Sequence, residues 1–547
     1  MNRLTPSTIA RLAPVPLALA LVLVANPGVT KEAGDVIFLE QGMSDADRET
    51  YSWTPLGSQL IPYTWFVALE DPKTGKMFKS DEVMGEWGIP PGAPVSKGNP
   101  DGLPRGFVKD GNRDWFGLTC AACHSNEITY EGKRIHIDGG GTMADIDGWG
   151  FALNQALVWT RDTPEAWDRF AERVLGEGAK EKKVAALRQE FEDWIDFRLD
   201  YGKRNHPGVV AGMGRHDSMG VLFTTSGAQA LGIESNRFDR MGPVSLPHTW
   251  EVGPTAQWNG FGSMVGLGKL GRDIGVSIGL FSNTTVERKA GRVQYKSSVR
   301  TTNLIHLGKV GRSMTHPEWP EFFPAVDQDK ATQGEALFTE HCSECHAMKP
   351  NDPSVLVPLD EIGTDPAMAL QFTRTMQKTG ALEGVRKHII AGEKFGPEAP
   401  AWEIMQHVVI GVLVADPTAF ASEPGGAEAW LRKIEEVSGA DESRQDDLES
   451  YRARPLHGIW ATAPYLHNGS VRNLWQLMLP PDQRETSFMA GRIDFDPVDV
   501  GLAVAEEGPG RSVIDTTKPG NRATGHDHGT DLSEDEKRAI IEFLKVL

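Results

Sequence analysis

Cys120, Cys123 and His124 in "TCAACHS", and Cys342, Cys345 and His346 in "HCSECHA", show one spacing twice. The chain has 4 cysteines, and the two motifs use them all. A Cys-x-x-Cys pair alone suits a redox dithiol, a disulfide or half of a zinc site. The histidine that follows at once changes the chemistry, because C-x-x-C-H is the attachment signature of c-type haem. The two thiols add across the vinyl groups on one porphyrin edge. The next imidazole then reaches beneath the ring to the iron. Zinc or a disulfide is the alternative for each pair. The expectation is two covalently bound haem c groups, with His124 and His346 as iron ligands.

The sixth position on each iron decides function. Filled by His or Met it gives an electron carrier; open or weakly filled, it admits oxygen or peroxide. For the second haem two segments offer a ligand, "TAPYLHNGS" with His467 and "GHDHG" with His526. His526 ranks first, because it stands just ahead of a C-terminal helix. Ser533 and Glu536 form a capping box for that helix, and Ile540, Ile541, Leu544 and Leu547 give it an apolar face. For the first haem no sixth ligand stands out. His136 in "KRIHIDGGG" reads either as a distal group or as an outward residue on an alternating strand. The "GLGKLG" run at Gly266, Gly268 and Gly271 lacks the strand and acidic residue of a dinucleotide site.

The positioning elements read as mainly helical, with long irregular loops and little sheet. In "TQGEALFTEHCSECH", Gly334 and Phe338 fall at helical spacing ahead of Cys342, with the glycine allowing a close helix crossing. The first motif has no such helix before it. Thr163 and Pro164 open one helix of an insertion, and "KEKKVAALRQEFEDWIDFRL" forms the next. Residues 1–25, basic and then apolar from Leu12 to Ala25, read as a secretory signal peptide. The division is then an N-terminal haem-c domain over 26–330 and a C-terminal, cytochrome c-like one over 331–547. The net charge of -19 argues against nucleic-acid binding and suits a small basic protein partner. A periplasmic or secreted protein without stable membrane insertion is expected.

The blocks "NPDGLPRGFVKD", "GLTCAACHSN", "PVSLPHTWEVGPTAQWNG", "GRDIGV", "TAPYLHNGS" and "GHDHGTDLS" carry a resemblance. The sequence resembles the bacterial di-haem cytochrome c peroxidase superfamily, within it the rubber-oxygenase-like branch, from about Trp53 to Leu547. The resemblance implies a catalytic haem on His124 and an electron-transfer haem on His346, the latter ligated on both sides by His. It places Trp258 near the catalytic haem, as a radical or electron-hopping site. It implies peroxide reduction with electrons from a small soluble donor such as a cytochrome c. Alternatives are a dioxygenase cleaving an alkene double bond with O2, or a pure electron carrier. Calcium between the haem domains occurs in the peroxidases; its ligands are not placed here.

Overall fold

The computed structural model describes residues 36–547, except 112–113, 205–209, 252–267, 347–354, 390–391, 422 and 439–444. The signal-peptide segment and Trp258 therefore lie outside the described residues. Among the described residues no helix is long and apolar enough to cross a membrane.

The first cysteine motif sits where two small sheets meet. Strands Ile61–Pro62, Trp115–Leu118 and Phe107–Asp110 form one, antiparallel throughout. Strands Val36–Phe38, Lys133–Asp138 and Ser125–Tyr130 form the other. The chain leaves Leu118, makes one helical turn at Cys120–Cys123, and departs into Ser125–Tyr130. The Thr119 side chain accepts from the Ala121 amide and donates to the Ser52 carbonyl at 3.1 Å, which pins the turn. Gly106 packs on it closely: a Cβ there would lie 2.0 Å from the Ala122 nitrogen.

This corrects the mainly helical expectation. Among the described residues helix makes up 41% and strand 17%, with strands spread over several small sheets. The missed signal is local. Glu131 (φ 48) and Gly132 (φ 74) join two alternating runs, as do Ala290 (φ 49) and Gly291 (φ 77) between Thr284–Lys289 and Arg292–Ser297. Two successive left-handed residues ending in Gly make the hairpin turn that matches strand twist.

The helical insertion forms as expected. Ile146–Asp162, Pro164–Leu175 and Glu181–Arg204 follow in order, with Pro164 at the first helical position. Trp65, Trp167, Phe170 and Phe191 pack between them and the sheet, the two phenylalanine rings 4.8 Å apart.

Toward the C-terminus, helix Gln328–His341 delivers Cys342 and crosses the terminal helix Glu534–Leu544. The capping box of Ser533 and Glu536 is present. The crossing needs Gly334, since a Cβ there would meet the Ala539 carbonyl oxygen at 2.0 Å. Phe338 packs against Phe543, ring centres 5.4 Å apart. Gly334→Ala is expected to lower the urea-unfolding midpoint: overpacking costs about 1–3 kcal/mol, against a helix-propensity gain of about 1 kcal/mol. A raised midpoint would mean that the crossing has slack.

One apolar core runs from Met43 to Leu544. Trp319, Phe323, Trp460 and Phe495 interlock within it, Phe323 stacked on Phe495 at 5.1 Å, with Tyr130 against Phe323 at 4.8 Å.

Candidate haem sites

The two C-x-x-C-H histidines are held in the same way. Nδ1 of His124 lies 3.0 Å from the Pro247 carbonyl oxygen, and Nδ1 of His346 lies 2.8 Å from that of Arg454. A carbonyl only accepts, so each Nδ1 carries the proton and donates it. That leaves the Nε2 lone pair free for a metal, the arrangement typical of metal-bound His. Burial keeps both rings neutral. It brings His124 down to about 4, opposed by the Pro247 bond and assisted by Arg272 and Arg454. Burial also lowers His346.

None of the four cysteines is in a disulfide. Among the described residues no three His, Cys, Asp or Glu side chains converge on one point. Cys120, His124, His346 and His526 are each half-buried.

Across from His346 stands His526, with ring centres 6.2 Å apart. Two imidazoles sharing one metal between them need about this spacing, a metal–nitrogen distance of about 2 Å plus a ring radius on each side. The backbone works to put His526 there. Its φ is 47, a left-handed conformation that costs a non-glycine residue roughly 1–3 kcal/mol. Gly525 before it (φ 66) passes so close to Gly363 that a Cβ would lie 2.2 Å from the Gly363 carbonyl carbon. The His526 amide donates to the Ile362 carbonyl at 2.9 Å. The Arg484 guanidinium donates to the carbonyls of Ala523, Gly525 and His526, each at 2.8 Å. Burial, then the charges of His346 and Arg484, bring His526 down to about 3.

The other histidines fall elsewhere. His467 is buried with its ring stacked on Tyr451, centres 4.0 Å apart, and among the described residues no ring contact joins it to His346. His136 is buried, not outward: it pairs with Asp138 at 3.3 Å and packs on Phe38. Among the described residues no ring pairs with His124 as His526 pairs with His346.

Sequence reading missed the residues around the first motif. Helix Gly268–Gly279 brings Lys269, Arg272 and Asp273 near Cys120, whose thiol is pushed up to about 12 by burial first and by the Asp273 charge second, the two cations opposing. Burial also raises the Asp273 carboxyl, which meets Arg272 through Oδ1 alone at 3.3 Å. Among the described residues Asp145 is the other carboxyl held above its usual range, and it is committed to capping the Gly148 amide. "GRDIGV" marked the place but not which of its residues turns inward.

Residues 450–489 match the family model described as RoxA-like, cytochrome c-like. This segment is similar to RoxA-like cytochrome c domains. A cytochrome c-like domain implies covalently bound haem c and suggests a haem c oxidoreductase. The RoxA-like segment supplies Arg454, whose carbonyl orients His346, and Tyr451 with His467, which build the core beneath it. Two relatives, both uncharacterised proteins of Sinorhizobium fredii (strain NBRC 101917 / NGR234), match more widely. The protein y4iJ is 28% identical over 94% of this chain and 93% of its own. The protein y4iM is 29% identical over 37% of this chain and 42% of its own.

One buried histidine, His407, is expected to make the fold acid-sensitive. His407 is buried, Nδ1 donating to the Lys387 carbonyl at 2.7 Å and Nε2 accepting from Tyr295 at 2.5 Å. Burial lowers it to about 4. An unfolded chain takes up this proton below about 6.5. The stability His407 contributes is therefore complete above that value and is lost as pH falls toward 4. The urea midpoint is expected to fall between pH 7 and pH 5, and less steeply in His407→Gln. An equal slope in the variant would discount His407.

Proposed function

We propose that this protein is an exported di-haem c oxidoreductase. It reduces peroxide at the His124 site with electrons relayed through the His346 site. The observation that supports this best is the asymmetry of the two imidazoles: His346 faces His526 at 6.2 Å, and His124 has no such partner among the described residues. When bound, haem supplies one-electron transfer at a doubly ligated site and peroxide or oxygen chemistry at an open one.

The chain supplies the rest. Cys120 with Cys123, and Cys342 with Cys345, fix the two groups by thioether bonds. Pro247 and Arg454 orient the ligating rings and keep them in the Nδ1–H tautomer. Reducing hydrogen peroxide to two waters takes two electrons and two protons. Asp273, half-buried beside Arg272 and raised in pKa by desolvation, is the residue we assign to hold and deliver a proton at the first site. Arg272, beside it, balances the charge when that proton leaves. The acidic chain suits a small basic cytochrome c as donor.

The resemblance of the sequence to the rubber-oxygenase-like branch supports a second reading, a dioxygenase that cleaves an alkene double bond with O2 and needs no external donor. One assay separates them. The mature protein, with haem attached, is mixed with peroxide and a reduced small cytochrome c, and its visible spectrum is followed in air and under nitrogen. Rapid peroxide-dependent donor oxidation supports the peroxidase. No turnover, with a spectrum that responds to O2, moves the function to the oxygenase. Two low-spin spectra that respond to neither ligand leave an electron carrier.

A further inference from the structure

The two ligating histidines are joined by a short run of hydrogen bonds that their positions in the sequence do not suggest. His124 Nδ1 donates to the Pro247 carbonyl at 3.0 Å. The next carbonyl along the chain, that of His248, accepts from an Arg454 guanidinium nitrogen at 3.1 Å. The Arg454 carbonyl in turn accepts from His346 Nδ1 at 2.8 Å. One peptide and one side chain thus span the interval between the two imidazoles. Both are fixed: Arg454 is buried, and the His248 ring stacks on Trp250 at 4.5 Å with 17° between planes. Trp250 is fully buried and donates from its indole to the His457 carbonyl at 3.0 Å.

We propose that Arg454, together with the Pro247–His248 peptide, is the bridge by which electrons pass between the two haem sites. This rests on the two-haem reading above and adds the route. Each transfer moves one electron from the His346 site, which is oxidised, to the His124 site, which is reduced. The donor protein replaces it. No proton moves along the bridge, since both Nδ1–H groups remain bonded to carbonyls throughout. A continuous path of covalent and hydrogen bonds couples two redox groups better than a path with a gap. Removing the guanidinium opens one gap and leaves both ligating imidazoles with their carbonyl acceptors.

The test uses the full chain with both haems attached, counted by intact mass. The protein is half-reduced by pulse radiolysis and the intramolecular phase is timed. The potentials of each variant are measured separately, so that rates are compared at equal driving force. Arg454→Met is expected to slow the phase about tenfold or more, the scale of outer-shell effects at metal sites. Arg454→Gln, too short to reach the His248 carbonyl, does the same and serves if the Met variant does not fold. Arg454→Lys, which keeps a donor, recovers part of the rate. A phase as fast as the parent's in Met or Gln at equal driving force overturns the bridge. A parent protein carrying fewer than two haems overturns the two-haem reading and the bridge with it.

Discussion

Asp273→Asn is expected to lower peroxide turnover by about 10²–10⁴-fold, the range lost when a general acid–base group is removed. Asn keeps the shape and can still accept from Arg272 through its amide oxygen. It cannot hold a transferable proton. Asp273 suits the task because burial favours its neutral form, and both Arg272 nitrogens that reach it bond to Oδ1 at 3.3 Å, leaving Oδ2 without a partner among the described residues. The haem content and the resting spectrum should be those of the parent, because no attachment or ligating residue changes. The loss should fall on kcat and not on KM for the electron donor. An unchanged kcat would remove Asp273 from the reaction.

His526→Gly should convert the second haem from a low-spin to a high-spin spectrum, and donor-driven turnover should fall by more than about tenfold. Glycine is the informative replacement. It accepts a φ of 47 without strain, so the loop keeps its path and any loss reports on the ligand alone. The haem is expected to remain attached, because Cys342 and Cys345, the residues we propose hold it, are unchanged. His467→Ala is the matched control. It should destabilise the protein by removing the stack on Tyr451 and leave the spectrum unchanged. If the spectral change appeared in His467→Ala and not in His526→Gly, the two assignments would exchange.

These residues differ in how far the sequence announced them. The C-x-x-C-H motifs stand out in the sequence because covalent haem attachment would fix the spacing of Cys120, Cys123 and His124, and the structure sets the two cysteines on a single helical turn. Gly334 and the Ser533–Glu536 box were legible because helix crossings and helix starts are local events with local residue preferences. His526 was legible only by analogy of position. What holds it, the reach of Arg484 across to Ala523, Gly525 and His526, is a tertiary contact without a local signature. Pro247, His248 and Arg454 were illegible for the same reason: a backbone carbonyl is available at nearly every residue, and only the fold selects which one meets an imidazole. The sheet around the first motif was under-read for a different cause. Its strands are short, and the Glu131–Gly132 turn that defines one hairpin was passed over in favour of helical spacing elsewhere.

The ring cluster of Trp319, Phe323, Trp460 and Phe495 also sets limits on exchange of parts. It is built from both sides of residue 330, and the Gly458 amide adds a bond to the last carbonyl of the chain, that of Leu547, at 2.8 Å. A chain severed there would give two fragments, each baring an aromatic surface that water does not solvate well. Hybrids between this protein and its relatives should therefore survive only when Trp319 and Phe323 are transferred together with Trp460 and Phe495. The unit of recombination is this seam and what lies on both sides of it, not the stretch on either side of residue 330 alone.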